Sequence, residues 1–336
     1  MTATIADVAA RAGVSTATVS RVLAGLGGAR PETKARILEA ARALDYRPSE
    51  IARSLKRRST QTLGLLITDI ENPYFPQLVR AVEDAARAVG YSMLLCNADD
   101  DPEREASYLD LLADRRVDGL IIAASSLGGR HGEWLAAPPV PVVLVNTEAR
   151  DLDLPAIMSD NVMGGRVAAE HLIELGHRCF GYLMPPPRNV DAPARLRGVH
   201  AALRAAGLDP DGLVVAHGEP LVGGGERAAA ELLDRAPDTT AILAYNDLMA
   251  IGAVRALRDR GRRVPRDASV VGFDDVALAA YVDPPLTTIA QRTEEMGQWA
   301  VAQLTDETLS RPAGPIRLPV DLRRRQSSGR VPVATR

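Results

Sequence analysis

Ile5-Ala6-Asp7-Val8-Ala9-Ala10-Arg11-Ala12-Gly13-Val14-Ser15-Thr16-Ala17-Thr18-Val19-Ser20-Arg21-Val22-Leu23 is the stretch that decides how the chain is read. Ile5, Val8, Ala9 and Ala12 follow the i, i+3, i+4, i+7 spacing of an amphipathic helix. Gly13 breaks that helix, and Ser15 is a good N-cap for a second one with Val19, Val22 and Leu23 as its buried stripe. A small Ala9, a turn-forming Gly13 and a β-branched Val19 let two helices cross closely, which predicts a helix-turn-helix. The face opposite the buried stripe carries Thr16, Ala17, Ser20 and Arg21, with Ser15 at its start. Short side chains plus one guanidinium suit a helix lying in the DNA major groove. A plain helical hairpin has the same periodicity, so charge must decide between the two.

The whole chain of 336 residues carries a net charge of only −3. Its distribution is uneven: residues 1–60 hold eleven Lys/Arg against five Asp/Glu, a head of +6 on a body of −9. A small basic head on an acidic body fits a polyanion-binding module joined to something else. A third helix is expected from Pro31, burying Ile37, Leu38, Ala41 and Leu44. Beyond Tyr46 the basic run Pro48–Arg58 is too short to hold a helix alone. A hinge that folds on DNA and wedges Leu55 between base steps, with Lys56 at its side, explains both the charge and the stray leucine. A disordered hinge with an incidental leucine is the other reading.

At 46% hydrophobic and 25% charged, the chain has the composition of a globular protein of about two domains. No apolar run nears the roughly 20 residues of a membrane span. The first residues lack the basic and apolar regions of a signal peptide, so a cytoplasmic protein is expected. Cys96 and Cys179 lie far apart in apolar stretches, which excludes a disulfide framework or a zinc site. After residue 60, strand-like runs (62–67, 91–96, 119–123, 140–145) alternate with helix-like ones (77–89, 102–115). The alternation repeats after residue 160: helical over 161–175, 195–206, 228–235 and 248–260, extended over 179–183, 240–244 and 270–273. Two such runs predict an α/β core of two lobes, each a doubly wound parallel sheet.

Enzyme chemistry finds little support. No Gly-x-Gly-x-x-Gly follows the first strand, and Gly223-Gly224-Gly225-Glu226 lacks the lysine of a Walker loop and reads as a loop leading into a helix. His171 and His177 are six apart and share no helical face for a metal. Asp274 and Asp275, adjacent at a strand end, point different ways. No nucleophile–base set is present, so no catalytic residue, cofactor or metal is expected.

The 5–15 and 18–23 segments and the 48–56 hinge resemble the headpiece of the lac/galactose repressor (LacI/GalR) family. The resemblance continues through Asn72-Pro73-Tyr74-Phe75, Arg116-Val117-Asp118-Gly119, Gly176-His177-Arg178, Asn246-Asp247, Gly272-Phe273-Asp274-Asp275 and Pro285-Leu286-Thr287-Thr288-Ile289, in order along nearly the whole chain. It implies a helix-turn-helix headpiece (1–47), a hinge helix and linker (48–60), a periplasmic-binding-protein-like core (61–330) and a tail (331–336). Three crossovers would divide the core into lobe 1 (about 61–161 and 292–320) and lobe 2 (about 162–291 and 321–330). It also implies a transcriptional regulator, a repressor by expectation, that binds a pseudo-palindromic double-stranded DNA operator as a homodimer. The 323–336 segment carries no apolar heptad of the kind tetrameric members use. A small polar effector, sugar-like, would sit between the lobes at Tyr74, Phe75, Asn146, Arg195, Asn246, Asp274 and Gln291, with Arg197 facing solvent. Pro220 stands where the family often has an aromatic, which argues against a planar ligand between two rings. The alternative is a solute-binding or sugar-processing protein on the same two-lobed body, which would leave the +6 head unexplained.

Overall fold

The computed structural model describes residues 3–25, 29–46, 59–124, 130–147, 153–187, 189 and 191–331. Residue 47 of the expected headpiece, residues 48–58 of the expected hinge, with Leu55 and Lys56, and all but the first residue of the expected tail lie outside the described residues. The chain divides at Gln61 into an N-terminal unit and a larger C-terminal one.

In the N-terminal unit, α1 (Ile5–Ala12), α2 (Thr16–Leu23) and α3 (Pro31–Ala43) enclose Val8, Ala9, Ala12, Val19, Val22, Ile37, Ala40 and Ala41. A capping box opens α1: the Thr4 N–H donates to Asp7 Oδ2 at 2.8 Å and the Asp7 N–H to Thr4 Oγ1 at 3.4 Å. Gly13 ends it at φ +64°, a left-handed conformation that costs glycine nothing. Ser15 caps α2 by accepting from the Thr18 N–H at 3.2 Å. Leu38 departs from the sequence reading and is exposed. One residue is a 100° step around a helix. The stripe of Ile37, Ala41 and Leu44 therefore leaves Leu38 off the core, and Ala40 is buried instead.

The C-terminal unit holds two six-stranded sheets. The first is wholly parallel, in the order β11-β5-β4-β3-β1-β2: β1 (Thr62–Ile67), β2 (Ser92–Asn97), β3 (Gly119–Ala123), β4 (Val142–Val145), β5 (Ala156–Ser159) and β11 (Ile316–Leu318). The second runs β12-β10-β9-β8-β6-β7: β6 (Phe180–Met184), β7 (Val214–His217), β8 (Ala241–Ala244), β9 (Ser269–Asp274), β10 (Thr287–Ala290) and β12 (Asp321–Arg323). Here β12 is antiparallel to β10, so the second lobe is a parallel sheet with one antiparallel edge. The chain passes between the sheets three times: between β5 and β6, between β10 and β11, and between β11 and β12.

The helices are α4 (Tyr74–Ala88), α5 (Pro102–Asp114), α6 (Arg130–Ala136), α7 (Asn161–Glu174), α8 (Ala192–Ala205), α9 (Val222–Arg235), α10 (Asp247–Asp259) and α11 (Thr293–Thr305). Helix α4 starts three residues before the expected Gln77, because Pro76 falls in the first turn, where a missing N–H breaks no bond. Gly223, Gly224 and Gly225 form the first turns of α9 rather than a loop. At Gly225 a Cβ would overlap the backbone of Met249, so the glycine permits α9 and α10 to touch. Cys96 is buried, whereas Cys179 is exposed, lying just before β6.

Candidate functional site

The carboxyl ends of strands from both sheets open on one cleft. Tyr74, Phe75, Asn146, Arg195, Asp274 and Gln291 all line it, with Asn72, Asn189, Asp191, Pro220 and Tyr245 among the others. Asn246 does not line it. Its amide is used by the fold: Oδ1 caps α10 by accepting from the Met249 N–H at 2.9 Å, and Nδ2 donates to the Pro220 carbonyl at 2.9 Å.

Arg195 is the cleft's buried cation. Its place is set by backbone contact between α7 and α8, since a Cβ at Gly165 would overlap the Arg195 carbonyl oxygen. Three protein groups take its nitrogens: Asn161 Oδ1 at 2.9 Å, the Tyr245 carbonyl at 2.5 Å and Asp191 Oδ2 at 2.5 Å. Asp274 Oδ1 stands 3.7 Å from the guanidinium, and the Tyr245 hydroxyl donates to Asp191 Oδ1 at 2.8 Å. The guanidinium carbon also lies 3.6 Å from the centre of the Phe273 ring and 4.5 Å from that of Tyr245. Burial works against its charge, but Asp191, Tyr245 and Asp274 outweigh that and hold it above its ordinary range.

Asn146 and Gln291 tie the two sheets together. Asn146 ends β4 at φ +49°, a left-handed conformation that asparagine tolerates better than most residues. Its Oδ1 accepts from the Ser159 N–H at 2.9 Å; its Nδ2 donates to the Tyr74 hydroxyl at 2.5 Å and to Gln291 Oε1 at 2.9 Å. Gln291 Oε1 also accepts from the Ser159 hydroxyl at 2.7 Å, while Nε2 donates to Asp274 Oδ1 at 2.7 Å. A continuous chain therefore runs from Tyr74 at the start of α4 and Asn146 just after β4, through Gln291 in the crossover, to Asp274 at the end of β9. Phe75 meets Tyr74 edge-on, with ring centres 5.3 Å apart at 76°.

Asp274 sits at φ +113°, far from where L-residues settle, so its carboxyl is held by the surrounding structure. Burial pushes it up to about 7, with Arg195 and the Gln291 hydrogen bond opposing. Behind it, Asp247 is fully buried, accepting from the Val276 N–H at 2.8 Å and the Thr288 hydroxyl at 2.5 Å. Burial, and then the charge of Asp274, raise Asp247 well above the usual carboxylate range.

The sequence reading missed Asp191, Asn161, Tyr245 and Ser159. Asp191 stands four residues before Arg195, a spacing that pairs charges on a helix face and was visible in the sequence. Ser159 and Asn161 come near the cleft only through strand pairing. His177 is fully buried and bonded to Thr240, Ser269 and the Gly329 carbonyl, and His171 to Ser328. Among the described residues no group of three or more His, Cys, Asp or Glu could hold a metal ion.

On the other unit, Ser15, Thr16, Ala17 and Arg21 are exposed at α2 and Ser20 is partly exposed. Thr16, Ala17, Ser20 and Arg21 thus lie on the outer face of the second helix, while the Ser15 hydroxyl is engaged as its cap.

Comparison with known proteins assigns this architecture. Residues 4–49 match the bacterial regulatory proteins of the lacI family, and residues 169–328 match the periplasmic binding protein-like domain. Over 311 residues the chain is 39% identical to the HTH-type transcriptional repressor PurR of Edwardsiella ictaluri, spanning 92% of this chain and 91% of that one. The chain belongs to the lacI family. Another lacI-family relative, the ribose operon repressor of Escherichia coli K12, is 38% identical over 301 residues, 89% of this chain and 91% of its own. The lac repressor dimer bound to operator and the anti-inducer ONPF matches 98% of this chain and 100% of its own with a TM-score of 0.87 at 30% identity. This lacI-family protein is a ligand-responsive, DNA-binding transcriptional regulator built as N-terminal helices followed by a two-lobed core. No helix among the described residues is long and apolar enough to cross a membrane.

Proposed function

We propose that the protein is a cytoplasmic repressor, without enzymatic activity, that binds a pseudo-palindromic operator as a homodimer and is switched by a small sugar-like effector in the inter-lobe cleft. The Tyr74–Asn146–Gln291–Asp274 chain carries this reading. It places polar groups of both sheets on one cleft, where a bound molecule competes with the contacts that fix one lobe against the other. A ligand that prefers one lobe arrangement shifts operator affinity by its differential affinity for the two states, typically about 1–3 kcal/mol. The names of the ribose operon repressor and of the operator-bound lac repressor dimer support a sugar effector and a dimer on DNA.

In this reading Ser15, Thr16, Ala17, Ser20 and Arg21 face the major groove, and Leu55 and Lys56 act at the operator's minor groove. Tyr74, Phe75, Asn146, Arg195, Asp274 and Gln291 form the effector site, and Asn246 supports it from behind as the cap of α10. The test is operator binding by fluorescence anisotropy in the presence of a sugar panel. One sugar should change operator affinity in the unmodified protein and leave it unchanged in Arg195→Ala, whose ligand-free operator affinity persists. Full ligand sensitivity in Arg195→Ala would remove that residue from the effector site.

A further inference from the structure

Asp247 is fully buried in the first turn of α10 and is not among the residues that line the cleft. A carboxyl shut off from solvent costs more than an apolar side chain of its size would. Its contacts show what it does there: they converge on the turn that carries Asp274.

Stretches far apart in the chain meet at this one side chain. Asp247 Oδ2 accepts from the Val276 N–H at 2.8 Å, two residues beyond Asp274. Its Oδ1 accepts from the Thr288 hydroxyl at 2.5 Å, and the Thr288 oxygen accepts in turn from the Asp275 N–H at 3.4 Å. Thr288 on β10 lies opposite Gly272 on β9, where a Cβ would overlap Asp247 Oδ1, so the glycine leaves room for the carboxyl. Between these contacts the backbone is unrelaxed, with Asp274 at φ +113° and Asp275 at φ +53°. Such a pair persists only where its surroundings over-determine it. The hydrogen bonds to the Asp275 and Val276 amides supply that constraint, and both lead back to Asp247. Arg325 adds an ion pair to the Asp275 carboxyl at 2.6 Å but, being a donor, cannot take either amide N–H.

We infer that Asp247 is a positioning residue for the effector response: from behind the cleft wall it clamps the Asp274–Asp275 turn and so holds the Asp274 carboxyl in the cleft. The inference rests on Asp274 belonging to the effector site. An asparagine can hold the same clamp, its Oδ1 accepting from Val276 and its Nδ2 donating to Thr288, whereas alanine reaches neither.

Carbon NMR of the full chain with 13C-labelled aspartate tests it without any ligand, the Asp274 signal being assigned by its loss in Asp274→Asn. Facing that carboxyl are Arg195, Asp191, Gln291, Tyr74 and Tyr245, all left in place by a change at position 247. In the unmodified chain the signal should titrate near pH about 7. Asp247→Asn removes the charge behind Asp274 but keeps the clamp, and should stay close to that value. Asp247→Ala should fall well below it, toward the usual 3.8, as the freed carboxyl turns to solvent. Thr288→Val keeps the side chain's shape without its hydroxyl and should move the signal the same way. Leu257→Ala, which hollows the far end of α10, should cost stability and leave the signal unmoved. Isothermal titration with D-ribose, D-glucose and cellobiose reads the effector side. The tightest sugar should bind Asp247→Ala about tenfold more weakly or worse, and Asp247→Asn nearly as it binds the unmodified chain. An Asp274 signal that titrates alike in Asp247→Ala and Asp247→Asn overturns the inference. Should Asp247→Ala not fold, a signal unmoved in Thr288→Val does the same. A signal that moves while sugar affinity does not, or while no sugar binds, leaves the clamp standing and overturns only the effector-site reading.

Discussion

Taking a guanidinium out of water costs several kcal/mol unless charges and hydrogen bonds replace the solvent. At Arg195 two carboxylates, two oxygen acceptors and two ring faces do so. Removing one partner leaves the rest uncompensated, so Asp191→Ala should destabilise the core by about 3 kcal/mol or more, read by thermal or urea unfolding. Asp274 gives a pH prediction. Its folded-state carboxyl, near 7 against the usual 3.8, binds a proton more tightly than in the unfolded chain. Stability from this group is therefore greatest at low pH and is lost as pH rises from about 4 to about 7. Asp274→Asn should flatten that part of the stability–pH curve; an unchanged slope would assign the titration to another group. Six of the cleft-lining residues were legible in the sequence through its resemblance to the lacI family, and the carboxyl edge of the parallel sheets, where side chains following strands collect, is where most of them fall. Asn246 also follows a strand, but a helix begins at the next residue, and the cap claims its side chain.

At the level of elements, α8 lies where it does because Gly165 of α7 has no side chain to hold it off. Gly165→Ala should move the Arg195 backbone, cost about 1–3 kcal/mol from overpacking, and weaken the effector response along with stability. In the headpiece, Thr4→Ala removes one half of the capping box and should lower the stability of the N-terminal unit by about 1 kcal/mol, seen as lost helical signal on heating. The long periodic helices and the largely apolar strands β1 and β3 could be read from the chain within a few residues. Several others could not. β5, β7, β10, β11 and β12 are only three or four residues long and lack the unbroken apolar run by which the equally short β4 and β8 could be read. They are strands because neighbours already in the sheet supply their hydrogen bonds. The antiparallel β12 follows from the last crossover: after β11 completes the first sheet, Asp321–Arg323 pairs with β10 of the second.

At the scale of the whole molecule, one helix-turn-helix reads only a half-site, so a palindromic operator requires two copies. Sedimentation at micromolar concentration should give the mass of two chains, and a monomer that binds operator at full affinity would contradict this. Arg21→Ala should lose about 1–3 kcal/mol at one base position; uniform weakening over all sequences would make it a phosphate contact. The central claim is that the cleft and the operator are thermodynamically coupled. The direct measurement uses an operator selected from randomised duplex DNA by the full chain, and the sugar that titrates the cleft most tightly. Operator dissociation constants are then determined with and without saturating sugar, in the unmodified protein and in Arg195→Ala. The account predicts a change of about fivefold to 150-fold in the unmodified protein and none in the variant. Equal operator affinity with and without a sugar that demonstrably fills the cleft would contradict it.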